Sequence, residues 1–100
     1  MSLAIRLNPA AQLDYINAVV WYESEMPGNT FRTQLRKAFE RMQAFPNAGS
    51  LIREEYRSCR VLRYPYQVIY SVDTDCIRVW AIFHSSRNPN ALNERLKPQA

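Results

Sequence analysis

Leu3, Ile5 and Leu7 alternate with Ala4 and Arg6, the period-two pattern of a short strand, and Pro9 stops it. Asn8 is suited to cap a helix with its side-chain oxygen, and Pro9 fills the first helical position, where a missing N–H costs nothing. Leu13, Ile16 and Val20, supported by Ala10, Val19 and Trp21, recur at helical spacing as far as Glu25 and predict a first amphipathic helix with this stripe as its apolar face. Pro27-Gly28-Asn29 breaks it, and Asn29 or Thr30 caps a second. There Phe31, Leu35, Ala38 with Phe39, Met42 and Phe45 step by three or four residues, while Arg32, Arg36, Lys37, Glu40, Arg41 and Gln43 fall mostly on the other side. Pro46 with Asn47-Ala48-Gly49 ends this helix, because a residue before proline is biased out of the helical region.

Beyond a loop through Ser50 come three apolar runs, Cys59 to Arg63, Tyr66 to Val72 and Cys76 to Phe83, separated by Tyr64-Pro65 and Asp73-Thr74-Asp75. Their valine, isoleucine, tyrosine and tryptophan predict an antiparallel meander. Strict alternation in the last run places Ile77, Val79, Ala81 and Phe83 on one face, and Arg78, Trp80, Ile82 and His84 on the other. The tail has Asn88-Pro89-Asn90 as a turn and one helical turn around Ala91 to Leu96. The predicted order is β-α-α-β-β-β, an α+β fold in which a helical hairpin packs on one face of a small, mainly antiparallel sheet and leaves the other face free. At 100 residues the chain is expected to be one domain, 1–100.

Composition narrows the function classes. With 47% apolar residues and only two glycines, the chain reads as an ordered globule without linker or repeat. Arg6 and Asn8-Pro9 interrupt the amino terminus too early for a signal peptide, and no stretch is apolar enough to span a membrane, so a cytoplasmic protein without membrane contact is expected. Cys59 and Cys76 lack CxxC spacing and are expected to stay reduced; with a single histidine they make too few ligands for a metal site, and no cofactor is expected. The formal charge of +4 is uneven: residues 1–50 hold five Lys/Arg against four acids, residues 51–100 eight against five. The basic excess of the second half suits a phosphate backbone or an acidic protein partner.

Several segments, in order, carry a family likeness: Trp21-Tyr22-Glu23 ending the first helix, Phe45-Pro46 closing the second, Arg60-Val61-Leu62-Arg63-Tyr64-Pro65-Tyr66-Gln67-Val68-Ile69-Tyr70, and Ile82-Phe83-His84-Ser85-Ser86-Arg87-Asn88-Pro89. Together they resemble the RelE/ParE toxins of type II toxin–antitoxin systems, and the His84-Ser85-Ser86-Arg87 segment resembles the ParE branch. The resemblance implies a toxin neutralised by a cognate antitoxin, acting on DNA gyrase without being an enzyme or, as in the RelE branch, cutting messenger RNA in the ribosome. A toxin homodimer and a hetero-oligomer with the antitoxin are both compatible with it.

Ribonucleolytic cleavage needs a base for the 2′-hydroxyl, a cation for the phosphorane and an acid for the leaving oxygen. Arg60, Arg63, His84 and Arg87 are the catalytic candidates. Arg57, Arg60, Arg63, Arg78, Trp80, His84 and Arg87 together are the candidates for binding target or antitoxin, with Tyr64, Tyr66 or Tyr70 able to stack on a base. His84 aligned with Arg78 and Trp80 would give an arginine–histidine–aromatic patch; equally, His84 at a strand end suits a structural hydrogen bond, and the aromatics suit the core. The resemblance to the nuclease branch asks for lysines and a carboxy-terminal tyrosine, or for several histidines. The tail offers Arg95 and Lys97 but no tyrosine after Tyr70.

Overall fold

The computed structural model describes residues 2–96, so that Lys97 lies outside the described residues. The elements are β1 (Ala4–Leu7), α1 (Pro9–Glu25), α2 (Phe31–Ala44), β2 (Ser50–Arg53), β3 (Tyr56–Val61), β4 (Tyr66–Val72), β5 (Cys76–His84) and α3 (Pro89–Leu96). One sheet runs β1-β5-β4-β3-β2, with β1 parallel to β5 and every other pair antiparallel. This is the expected α+β arrangement, with an edge strand β2 where a loop was expected and a longer last helix. The first of the three predicted runs ends early: Arg63 adopts a left-handed backbone (φ 72°), which turns the chain after Val61 and takes Arg63 out of the strand.

The helix starts also differ from expectation. Asn8 does not cap α1 through its side chain; its Oδ1 accepts from Arg78 Nη1 instead (3.4 Å). At α2, Asn29 Oδ1 accepts the Phe31 N–H (2.8 Å), and the Tyr64 hydroxyl accepts the Thr30 N–H (2.8 Å). Two orphan donors of the helix start are thereby satisfied. Tyr22 stacks on Phe31 (ring centroids 4.7 Å) and meets Tyr64 and Tyr66 edge-on, so aromatic contacts join α1, α2 and the start of β4.

The main core lies between the helical hairpin and the sheet, but α1 enters it through Ala11, Ala18, Val19 and Tyr22. The expected stripe lies on the opposite side: Leu13, Ile16 and Val20 are 59%, 52% and 58% exposed. Apolar residues flank α1 on two sides, and periodicity alone does not say which side meets the sheet. The alanines decide it, since small side chains let the helix backbone approach the strands.

The alternation in β5 breaks at Trp80. Ile69 pairs with Ala81 and Tyr70 with Val79, which leaves Trp80 unopposed in a β-bulge. Ile77, Val79 and Ile82 therefore face the helical hairpin, whereas Ala81 and Phe83 face away from it. That second face is not free. Tyr56, Ile69, Ala81 and Phe83 form a second core there, closed by Leu96 of α3 with Ala91, Leu92 and Trp80 packed around it.

α3 is held by two arginines. Arg53 donates to Asn93 Oδ1 (3.3 Å) and to the Leu96 carbonyl (3.4 Å), tying β2 to the end of α3. Arg95 pairs with Asp14 of α1 (2.8 Å) and donates to the Trp80 carbonyl (3.1 Å), while Asp14 Oδ2 accepts the Ile82 N–H (3.0 Å). β1 pairs with β5 only as far as Val79, so this ion pair satisfies the edge of β5 that β1 leaves uncovered. Among the described residues no helix is long and apolar enough to cross a membrane.

The two apolar faces should respond differently to truncation. Leu96→Ala should lower the unfolding free energy in urea by about 2–4 kcal/mol, because it opens a cavity in the second core. Leu13→Ala, on the exposed side of α1, should change it by less than about 1 kcal/mol. Equal losses in the two variants would contradict these faces.

Candidate binding surfaces

The bulge moves His84 to the helix side of the sheet, away from Arg78 and Trp80, so the expected arginine–histidine–aromatic patch does not form. His84 instead lines a cleft of about 240 Å³ at the end of β5, with Asp14, Trp21, Tyr66 and Arg87 among its neighbours. Its ring meets Tyr66 edge-on (5.0 Å), and Nδ1 accepts the Ser86 N–H (3.0 Å) with the Ser86 hydroxyl at 2.7 Å. An Nδ1 that accepts a backbone N–H places the proton of the neutral imidazole on Nε2. The ring thus offers a donor rather than a free base. The Arg87 guanidinium lies over the Phe83 ring (5.0 Å to the centroid), and the Arg87 backbone N–H donates to the His84 carbonyl (3.0 Å), which shapes the turn beyond the strand.

A second surface forms where α2 gives way to β2. Arg57 donates to the Asn47 and Gly49 carbonyls (2.9 and 2.8 Å), the Tyr70 hydroxyl donates to the Pro46 carbonyl (2.8 Å), and Arg41 donates to the Arg60 carbonyl (2.7 Å). These bonds fold the loop against β3 and β4. Gly49 is required by close approach: a Cβ there would collide with the Tyr70 hydroxyl and meet the Ser58 carbonyl oxygen at 3.0 Å. Arg60 is exposed on β3, and Arg41 and Arg60 line a groove of about 360 Å³ together with Met42, Phe45, Cys59 and Tyr70.

The remaining candidates stand apart. Arg78 pairs with Asp73 (3.1 Å) and braces the β4–β5 turn. Trp80 donates from Nε1 to Ser71 Oγ (2.9 Å) and meets Tyr56 edge-on (5.5 Å), so it packs into the second core. Arg63 is exposed in its turn. The structure thus brings His84 and Arg87 together, places Arg57 and Arg60 at another corner, and separates Arg78, Trp80 and Arg63 from both. Asp14, Arg41 and Phe45 carried no such expectation, and Arg95 carried one only as a cation of the tail. Asp14, an acid within the apolar run of α1, was the one visible signal among them. Among the described residues no group of three or more His, Cys, Asp or Glu side chains is placed to hold a metal ion.

A family model described as the ParE toxin of the type II toxin–antitoxin system parDE matches residues 5–89. A solved structure of a chromosomal ParDE TA system from P. aeruginosa is similar at 15% identity with a TM-score of 0.68, covering 83% of this chain and 96% of that one. The YoeB dimer from Staphylococcus aureus is similar at 16% identity with a TM-score of 0.60, covering 84% of this chain and 99% of that one. At these identities the two structures share the fold. No curated protein matches the sequence.

Two measurements probe the loop corner. Gly49→Ala should destabilise the protein by about 1–3 kcal/mol, since the added methyl must displace the Tyr70 hydroxyl or the β3 backbone. Burial raises the phenols of Tyr22, Tyr56, Tyr66 and Tyr70 above their ordinary value of 10.0, so the unfolded chain releases these protons first. Their contribution to stability is present below pH 10.0 and is lost as pH rises through the folded-state values. Urea unfolding on the alkaline side should show this decline, and Tyr70→Phe should make it shallower; an unchanged slope would count against a buried Tyr70 phenol.

Proposed function

The chain belongs to the ParE toxin family, and from that premise we propose that it arrests growth by binding DNA gyrase and stalling its cleaved DNA complex, without being an enzyme, and that a cognate antitoxin neutralises it. The proposed setting is the cytoplasm, with the whole chain acting as one toxin domain. The observation that carries the reading is the dispersal of the candidate chemistry. Phosphodiester cleavage needs a base, a cation and an acid around one phosphate. Here Arg57 is tied to loop carbonyls, Arg78 is paired with Asp73, and His84 Nδ1 accepts a backbone N–H. Dispersed arginines and aromatics suit the recognition of a protein surface better than the reaction of a single phosphate.

One observation favours a second reading, a ribosome-dependent messenger RNA endonuclease. The cleft with His84, Arg87, Tyr66 and Trp21 joins a cation, an imidazole and two aromatic rings able to stack on a base. A detoxified relative retained as a binding module is the third. The S. aureus relative is described as a dimer, and a homodimer of this chain belongs to the proposal as well.

Induction of the chain without antitoxin separates the three. On the gyrase reading, gyrase–DNA cleavage complexes accumulate, a purified translation system still makes its reporter, and His84→Ala still arrests growth. Codon-positioned messenger RNA ends that vanish in His84→Ala or Arg87→Ala would establish the nuclease instead. Normal growth on induction would leave the binding module.

A further inference from the structure

The groove below the carboxy-terminal end of α2 has a chemistry that the loop corner does not explain. β2 pairs with β3 no further than Ser58, and the groove opens beyond that point under α2. Met42 and Tyr70, each 1% exposed, lie at its base, Cys59 stands in its wall, and Phe45, 69% exposed, forms an apolar rim. Arg41 and Arg60 line it, and no acidic residue does. None of the ion pairs among the described residues includes Arg41, Arg57 or Arg60. Arg41 and Arg57 donate to carbonyl oxygens, which leave the guanidinium charge uncompensated and further N–H donors unused.

We propose that this groove seats an acidic segment of a partner protein, with an apolar side chain packed between Phe45 and Met42 and carboxylates on Arg41 and Arg60. The proposal rests on the toxin reading for its natural source, the antitoxin. A large aromatic left exposed beside an apolar depression marks an anchor site, and uncompensated arginines at its edge select for carboxylates. A phosphodiester strand would satisfy the cations and could stack a base on Phe45, but would bring no aliphatic group to Met42 at the floor. A second copy of this chain, at a net charge of +4, would bring further positive charge to the arginines.

Cys59 supplies the readout, because the other thiol, Cys76, is only 1% exposed. The chain is produced alone and together with the protein encoded by the adjoining reading frame, and the rate of Cys59 alkylation by N-ethylmaleimide is compared. Slowing by roughly tenfold or more in the complex is expected, and Phe45→Ala and Arg60→Glu, both at exposed positions, should each weaken the complex by roughly tenfold or more, with Arg60→Lys close to wild type. An unprotected Cys59 in a stable complex, affinities unchanged in the two variants, or no complex at all overturns the proposal. So does protection by a single-stranded oligonucleotide alone, or protection of the free chain that grows with its concentration. Growth arrest on induction of the wild-type chain is scored separately. Arrest with an unprotected groove overturns the groove and leaves the toxin reading standing, whereas a protected groove without arrest does the reverse.

Discussion

β5 is bonded on both sides, to β1 and to β4, and carries one residue more than β4 can match. The unopposed residue is Trp80, and its indole N–H is satisfied by Ser71 on β4, so the large side chain holds the bulge in place. Side chains alternate across a strand, so one extra residue reverses every assignment beyond it. Before the bulge, Ile77 and Val79 serve the helical hairpin; beyond it, Ala81 and Phe83 serve the opposite face. The sheet thereby acquires two apolar faces, and a hairpin of helices can cover only one.

The short α3 answers that need. A helix of eight residues has little stability of its own and depends on tertiary contacts. Leu96 supplies the apolar contact, and Arg53 and Arg95 supply the polar ones from opposite directions. The Arg95–Asp14 pair is largely buried and is hydrogen-bonded at both ends, Asp14 accepting from the Ile82 N–H and Arg95 donating to the Trp80 carbonyl, the condition under which such a pair contributes rather than costs. Arg53 is less well served. Its Nε is buried without a partner among the described residues, and the Tyr56 ring, its centroid 5.9 Å from the guanidinium carbon, offers a cation–π contact beside it.

The same accounting sorts the basic residues by task. Arg53, Arg78 and Arg95 hold elements together: Arg78 and Arg95 are paired with acids, and Arg53 donates to Asn93 and the Leu96 carbonyl. Arg41 and Arg57 fasten backbone segments through carbonyls and keep their charge. Arg60, Arg63 and Arg87 are exposed. A positive balance spread along the sequence thus becomes, in three dimensions, a structural set and an outward set. The outward set and the carbonyl-bound pair are available to a partner, as are the exposed Arg6, Arg36 and Lys37 of β1 and α2.

Much of the architecture follows from local chemistry. Period-two and period-3.6 apolar patterns, with Pro9, Pro27-Gly28 and Pro46 as breaks, give the order of strands and helices, and the ordered likeness from Trp21 to Pro89 gives the family. Edge strand β2 escaped notice because Leu51 and Ile52 are too short a run to show a period, and both are exposed. The facing of α1 was not legible because the helix is apolar on two sides and only its contact with the sheet chooses between them. The position of His84 was not legible either, since it depends on a bulge that exists only when β5 pairs with β4. Local sequence determines which residues form an element, because backbone preference and periodicity act within a few residues. Which faces meet, which arginine is matched and where a groove remains open depend on partners distant in the chain, and only the assembled tertiary structure decides them.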